Sequence, residues 1–128
     1  MLAADPGAAA MIVADVGPLE GGRFRWTGQT PTVHLTLPQT SALRLRARFW
    51  IADEALKATG PIGIVYRING TVLDRARYVA PGEQFFDKPV DAALLHAGTN
   101  EVRMEIDKVY QRPDAKLGVA LAELGFTD

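Results

Sequence analysis

The sequence predicts an all-β, antiparallel fold, and three observations carry this prediction. Residues 42–51 alternate strictly between apolar and polar side chains, which is typical of a strand with one buried and one solvated face. Asn69-Gly70 lies between two β-rich runs and matches a type I′ hairpin turn, in which both central residues need a positive φ. Short strand-like runs recur along the chain with Gly and Pro between them, a pattern that favours a sandwich or a barrel.

In the first half of the chain, turn residues separate the predicted strands. Gly17-Pro18 ends the first run, Gly28 ends the second and Pro38 ends the third. A helical turn at 53–58 would follow the fourth run and is broken by Gly60-Pro61. The predicted strands of this half are 11–16, 23–27, 32–37 and 42–51.

The second half begins with the Asn69-Gly70 hairpin and a Pro81-Gly82 turn. Asp91 is placed to cap a short helical turn at 92–96, and Gly98 is placed to end it. The last run, 116–124, alternates large residues with Gly and Ala, so that another element can approach it closely. The strand-like runs here are 65–68, 71–79, 84–88, 101–106 and 116–124. The nine runs of the two halves predict about eight strands in all, with one or two single-turn helices.

The alternation in three of these strands also predicts the core. Residues two apart along a strand point to the same side of its sheet, so their apolar members face the interior together. The expected core residues are Leu43, Leu45, Phe49, Val102, Met104, Ile106, Leu117, Val119 and Leu121.

Length and composition describe a single domain and exclude several classes of protein. The chain has 128 residues with 14 basic and 15 acidic side chains, a balance that argues against a nucleic-acid partner. No apolar run reaches the length of a membrane span, so we expect no direct membrane insertion. Without cysteine, disulfides and thiolate metal sites are excluded. We interpret residues 1–10 as a flexible lead-in or linker, and we expect residues 11–128 to form the single β-sandwich domain.

The second half of the chain resembles galactose-binding-like jelly-roll domains, which are carbohydrate-binding-like β-sandwiches. The resemblance rests on Leu94-Leu95-x-x-Gly98-x-Asn100-x-Val102-x-Met104-x-Ile106 and on the hairpin segment 65–70. The tail 112–121 is similar to the closing segment of jelly-roll accessory domains in bacterial cell-envelope glycosyltransferases. The resemblance implies a two-sheet sandwich of jelly-roll type. It also implies a glycan ligand, a neighbouring catalytic or membrane domain, and an extracytoplasmic location in the periplasm or cell envelope, with the cytoplasm left open.

Catalytic chemistry has little support in the sequence. Ser41 is the only serine and lies outside any nucleophile motif, and His34 and His96 are far apart and form no metal-binding pair. Asp53-Glu54, or Asp87 with Asp91, could contribute to a calcium site, but no spaced oxygen-rich loop accompanies them. We therefore expect no catalytic residues, no metal and no cofactor.

A stripe of four side chains on the polar face of 42–51 is the main candidate for ligand binding. Arginines can bind carboxylate, phosphate or sugar hydroxyl groups, and a tryptophan offers a plane for stacking, so the expected ligand of the stripe is an acidic or phosphorylated glycan. Alternatively, the arginines pair with acids of another strand, for which Glu101, Glu105 and Asp107 are the expected partners. Trp26, Tyr66, Tyr78 and Tyr110 are weaker aromatic candidates. The stripe, called the arginine stripe below, consists of Arg44, Arg46, Arg48 and Trp50.

The preferred functional interpretation is a non-catalytic carbohydrate-binding-like module, part of or accessory to a cell-envelope glycan enzyme. The alternative is a structural or protein-interaction module that binds no sugar. An exposed aromatic side chain with converging polar groups in a groove would favour the first interpretation, and a large flat apolar patch would favour the second.

Overall fold

Residues 1–127 are described by a computed structural model, which has ten β-strands, one short α-helix and two 3-10 turns within that range. The helix is α1 (Asp53–Thr59), and the 3-10 turns are Ala8–Ala10 and Ala92–Leu94. The strands are β1 (Ile12–Glu20), β2 (Phe24–Leu37), β3 (Arg44–Ile51), β4 (Ile62–Ile68), β5 (Thr71–Tyr78), β6 (Gly82–Pro89), β7 (Gly98–Ile106), β8 (Tyr110–Gln111), β9 (Lys116–Leu117) and β10 (Ala120–Thr127).

Eight of these strands are joined by antiparallel hydrogen bonding in the order β5-β4-β7-β2-β10-β3-β6, with β1 beside β2. The long strand β2 connects two layers: it pairs with β10 near Trp26 and with β7 from Thr32 to Leu37. One layer therefore contains β5, β4 and β7, and the other contains β10, β3 and β6. The two-residue strands β8 and β9 form a separate ribbon.

Aromatic contacts show that the two layers pack face to face. Tyr66 on β4 stacks on Phe86 on β6, with ring centroids 3.7 Å apart. Phe49 on β3 meets Tyr78 on β5 edge to face at 5.1 Å. Because these strand pairs are not neighbours in the hydrogen-bonded order, the contacts join the inner faces of a sandwich. The predicted all-β, two-sheet antiparallel sandwich is confirmed.

The core agrees with the alternation except at one position. Eight of the nine predicted core residues are buried, but Leu117 is only partly buried. Leu117 belongs to β9 and pairs with Tyr110 in the separate ribbon, so it lies at the margin of the sandwich. The prediction for Leu117 was therefore wrong, because the chain enters the sandwich only after Gly118.

The predicted strands 23–27 and 32–37 are parts of the single strand β2. Pairing with β10 stops at Trp26 and pairing with β7 starts at Thr32, so Gly28 and Pro31 occupy the stretch where β2 passes between the layers. Proline is tolerated there because this stretch has no ladder with β10 or β7 that would need its missing N–H group. Gly28 and Pro31 therefore mark the place where β2 crosses from one sheet to the other, and the chain does not reverse direction there.

Two asparagines join the hairpin to the turn before β7. Asn69 and Gly70 both have positive φ, as the predicted turn requires. The Asn69 side chain donates to Asn100 Oδ1 at 2.9 Å and accepts from the Glu101 N–H. Asn100 is fully buried and donates to the carbonyl oxygen of His96. The two segments singled out in the sequence therefore form one hydrogen-bonded unit.

Residues 1–10 pack against the sandwich. The Ala3 N–H donates to the Ala122 carbonyl oxygen, and the Leu124 N–H donates to the Met1 carbonyl oxygen. Ala3 and Ala8 are fully buried. This segment covers the edge of β10 that β2 leaves when it crosses to the other layer. Its role as a lead-in or linker remains a prediction.

A candidate ligand-binding cleft

The arginine stripe lies on the outer face of β3. Leu45, Ala47 and Phe49 point into the core, so the residues that alternate with them point outward. Trp50 is 53% exposed, an unusual position for so large an apolar side chain. The structure confirms that the stripe shares one face, and its role in ligand binding remains a prediction.

The stripe is paired with acids, although not with the predicted ones. Asp87 on β6 lies 2.6 Å from Arg44 Nε and 3.6 Å from Arg46 Nε. A carboxylate oxygen of Glu83 lies 3.6 Å from a terminal nitrogen of Arg48, and one of Glu123 lies 4.0 Å from Arg48 Nε. The three arginines therefore face three carboxylates, and this face has no excess charge from these six groups.

The expected partners Glu101, Glu105 and Asp107 were wrong. They lie on or just after β7, in the other layer, whereas β3 has β10 and β6 as neighbours. Glu105 binds Arg67 at 2.6 Å, and Asp107 accepts a hydrogen bond from the Gly63 N–H. Alternation determines which face a side chain occupies, but it does not determine which strand lies alongside.

A cleft of about 540 Å³ opens at the Trp50 end of the stripe. Ala120 on β10 pairs with Trp26 on one side and with Trp50 on the other. The Cα atoms of the two tryptophans are therefore two strand spacings apart, roughly 9–10 Å. The two indoles flank a floor of small residues, Ala120 and Ala122. The lining residues are Arg23, Phe24, Trp26, Arg48, Phe49, Trp50, Ala52, Glu83, Ala120 and Ala122.

A second aromatic ring orients one wall of the cleft. Phe24 contacts Trp26 edge to face, with ring centroids 5.7 Å apart and planes at 89°. Such a contact favours one orientation of the indole. The sequence analysis placed Trp26 among the weaker candidates, whereas the structure brings it into the same cleft as Trp50. The available signal was the small residues at Ala120 and Ala122, which leave room above β10.

The other weaker aromatic candidates lie elsewhere. Tyr66 and Tyr78 are buried, and their hydroxyl groups are 2.8 Å apart. Burial raises the pKa of both phenols above the ordinary value of 10.0. Tyr110 lies in the β8–β9 ribbon and is half-buried. None of the three lines the cleft.

Polar groups stand at the rim of the cleft. The side chains of Arg48 and Glu83 are both about two-fifths exposed. Each therefore keeps hydrogen-bonding capacity toward solvent beyond their mutual contact. An apolar floor between aromatic walls, with a donor and an acceptor at the rim, can hold a ligand that has one apolar face and several hydroxyl groups.

Three of the four acids considered for a calcium site have other partners. Asp53 pairs with Lys57, Asp87 pairs with Arg44, and Asp91 caps the Ala92–Leu94 turn by accepting from the Ala93 N–H. Residues 1–127 contain no group of three or more His, Asp or Glu side chains that could hold an ion. In the same range, no helix has the length and apolar character needed to cross a bilayer.

Comparison with known proteins identifies the fold. A family 35 carbohydrate-binding module from an environmental isolate matches with a TM-score of 0.64 and 12% identity, over 91% of this chain and 86% of that one. A family 35 module from Clostridium thermocellum matches with a TM-score of 0.57 and 12% identity, over 91% and 89% of the two chains. The chain shares the β-sandwich fold of these two modules, as the resemblance to galactose-binding-like jelly-roll domains predicted. No family model matches the sequence, and no curated protein matches it. At this identity the likeness shows the fold alone.

Proposed function

We propose that this chain is a non-catalytic carbohydrate-binding module that holds a short glycan in the cleft between Trp26 and Trp50. The observation that carries the proposal is the pair of indoles on either side of Ala120, with Arg48 and Glu83 at the rim. Pyranose rings have an apolar face that stacks on indole, and hydroxyl groups that bond to charged side chains. The two solved structures of similar fold are carbohydrate-binding modules.

The ion pairs favour a neutral glycan in this cleft over the acidic or phosphorylated glycan expected from the sequence. Arg48 faces two carboxylates, Glu83 and Glu123, which oppose the approach of a third negative group. A paired arginine can still donate to a hydroxyl oxygen, and Glu83 can accept from a second hydroxyl. Arg44 and Arg46, which share Asp87, would line the continuation of the ligand along β3.

The affinity expected from such a site is modest. The favourable contributions to the binding free energy are one or two stacked rings and a few hydrogen bonds. The entropic cost of immobilising a flexible ligand offsets part of them. A dissociation constant of about 1 mM, or roughly −4 kcal/mol, is therefore reasonable for a short oligosaccharide. Longer chains that reach Arg46 and Arg44 should bind more tightly.

The test is a titration of wild type and variants with a panel of neutral oligosaccharides and their carboxylated or sulfated counterparts. Trp50→Ala and Trp26→Ala should each weaken neutral binding by about tenfold, since loss of stacking costs roughly 1 kcal/mol or more. Phe85→Ala is the matched control, because Phe85 is 59% exposed on the same sheet but does not line the cleft. Equal binding by all three variants, or no saturable binding to any member of the panel, would contradict the proposal.

We further propose that the module belongs to, or works beside, a bacterial cell-envelope glycan enzyme outside the cytoplasm. Support comes from the likeness of segment 112–121 to accessory domains of cell-envelope glycosyltransferases. The module itself would supply no chemistry, so turnover of a glycoside by this chain would count against the proposal. The genomic reading frame provides the test: upstream or downstream codons should encode a catalytic or membrane domain. A frame that encodes no such domain, with no glycan enzyme in the adjoining genes, would contradict this setting.

One observation favours the alternative of a protein-interaction module. Phe85 is exposed on the edge strand β6, directly across from Arg48, on the same outer face as Trp50. The charged side chains of Arg48 and Glu83 interrupt the apolar surface between the two aromatic residues. Glycan binding therefore has the better support. A Phe85→Ala variant that lost the association with an adjoining domain while keeping glycan affinity would show that both roles coexist.

A further inference from the structure

The other outer face of the sandwich carries a groove of a different character. In the layer formed by β5, β4 and β7, Gly63 on β4 pairs with Arg77 on β5. On the other side of Gly63 lies Asp107, whose N–H donates to the Gly63 carbonyl oxygen. Gly63 has no side chain, and the Asp107 carboxylate lies over it, with Oδ2 3.1 Å from the position that a Cβ atom would take. The groove beside them measures about 530 Å³, and Arg75, Arg77 and Lys108 are among the residues that line it.

The acids of this groove are already engaged. Asp107 Oδ1 accepts a hydrogen bond from the Gly63 N–H at 2.8 Å, and Glu105 Oε1 accepts one from Arg67 Nε at 2.6 Å. Glu105 and Asp107 are the two acids that line the groove. Arg67 offsets the charge of Glu105, so within residues 1–127 Asp107 is the one acid of the groove without an ion pair, against three basic side chains.

The bases of the groove have no such partners. Arg75, Arg77 and Lys108 are exposed, and within residues 1–127 none of the three forms an ion pair. The arginine stripe on the opposite outer face is different, since each of its arginines faces a carboxylate. The chain as a whole carries a net charge of −1, so an excess of positive charge at one groove is a local feature.

We propose that this groove is a second binding site, which takes an anionic polysaccharide by its oxyanion groups. Arg75 and Arg77 lie two residues apart on β5 and project to the same side, roughly 6.6–6.8 Å apart along the strand. Each guanidinium can hold a carboxylate, sulfate or phosphate by paired N–H donors, and Lys108 adds a third positive charge. The proposal goes beyond the module's neutral-glycan cleft, because the site lies on the opposite face and selects for charge.

A polysaccharide is favoured over a nucleic acid. Binding of single-stranded nucleic acid normally combines a basic track with aromatic side chains on which bases stack, and no aromatic residue lines this groove. A duplex binder normally has a strongly basic surface, whereas this chain is close to neutral. Three exposed cations can bind a polymer whose oxyanion groups are spaced along its length. Such a polymer needs no aromatic surface for stacking.

The test compares dextran sulfate and polygalacturonate with unmodified dextran, using the full chain at low ionic strength and at about 0.15 M salt. Wild type should bind at least one of the charged polymers, with affinity that falls as salt rises, and should show no such binding to dextran. The sulfate and carboxylate polymers together identify which oxyanion the groove prefers. If neither charged polymer binds at low ionic strength, the proposal is overturned.

Variants locate the binding. The double variant Arg75→Gln/Arg77→Gln should lose about tenfold or more in affinity for the charged polymer. Arg112→Gln/Lys116→Gln is the matched control, since it removes the same charge from exposed positions that do not line the groove. It should change affinity by less than about twofold. Equal losses in the two double variants would show a general charge effect and overturn the site, as would equally tight binding of a single-stranded oligonucleotide.

Two further titrations separate this site from the aromatic cleft. Trp50→Ala should keep its affinity for the charged polymer, and Arg75→Gln/Arg77→Gln should keep its affinity for a neutral oligosaccharide. Loss of charged-polymer binding in Trp50→Ala would place that binding at the cleft and refute the second site. If only the binding of neutral oligosaccharides fails, the proposal for the aromatic cleft is refuted and the proposal for the basic groove stands. Melting temperatures equal to that of wild type confirm that the variants are folded.

Discussion

Replacement of Gly118 by alanine tests how closely β10 and β2 must approach each other. Gly118 lies just before β10, and its N–H donates to the Thr27 carbonyl oxygen at 2.8 Å. The next residue, Val119, donates to Thr27 Oγ1 at 3.1 Å. Thr27 is only 1% exposed, so these bonds are shielded from water. This crossing supports the floor of the aromatic cleft, which begins two residues later at Ala120.

A Cβ atom at position 118 has no free space. It would lie 2.5 Å from the Gly28 carbonyl oxygen, 2.6 Å from Thr27 Oγ1 and 2.7 Å from Ile106 Cδ1. The end of the Ile106 side chain can move aside, but the Gly28 oxygen belongs to the backbone and Thr27 Oγ1 is held by hydrogen bonds. The strands must therefore separate. Overpacking typically costs about 1–3 kcal/mol. Loss of one buried hydrogen bond adds about 1 kcal/mol, so we expect Gly118→Ala to lower the free energy of unfolding by about 2–4 kcal/mol.

Urea denaturation of Gly118→Ala, wild type and a control variant measures this cost. Gly7→Ala is the matched control, because Gly7 has a helical φ of −80° and its added Cβ would meet only a flexible Asp5 oxygen at 3.3 Å. The control should lie within about 1 kcal/mol of wild type. If Gly118→Ala were also within about 1 kcal/mol, the close approach of β10 and β2 would not be a requirement of the fold. A folded Gly118→Ala protein should also bind neutral glycans more weakly, because the cleft floor moves.

Three further predictions concern the core, the asparagine unit and the tyrosine pair. Leu45→Ala should cost about 2–5 kcal/mol in urea denaturation, since Leu45 is fully buried, and a cost below about 0.5 kcal/mol would contradict the predicted core. Asn100→Ala should cost at least about 2 kcal/mol, because it leaves buried backbone groups near β7 without partners; a near-neutral effect would show that water replaces the side chain. Burial raises the pKa of Tyr66 and Tyr78 above 10.0, so above about pH 10 the unfolded chain releases protons that the folded chain retains. The unfolding free energy should therefore fall as pH rises through this range, by up to about 1.4 kcal/mol per pH unit for each tyrosine. Denaturation of wild type and Tyr66→Phe/Tyr78→Phe between about pH 9 and pH 11 should show a shallower fall in the variant, and equal slopes would refute the assignment.

Local patterns were sufficient wherever the physical cause is itself local. The side-chain direction in a strand repeats every two residues, so the alternation in β3 and β7 correctly predicted which residues are buried. The positive φ values required by a tight hairpin restrict the residues that can form it, so Asn69-Gly70 correctly located the β4–β5 turn. The small residues of the last run correctly indicated a close approach, which the structure shows at Gly118.

The sequence by itself therefore determined the fold class, the predicted outward face of the arginine stripe and most of the core. Only the tertiary structure decided which strands are neighbours, because pairing across the sandwich depends on contacts between residues far apart in the chain. As a result, Arg44 and Arg46 pair with the carboxylate of Asp87 and not with those of Glu101 and Glu105. The tertiary structure also placed Trp26 and Trp50 on either side of Ala120. Each of these residues carries a local signal for its own strand, but the distance between two strands is a property of the whole fold.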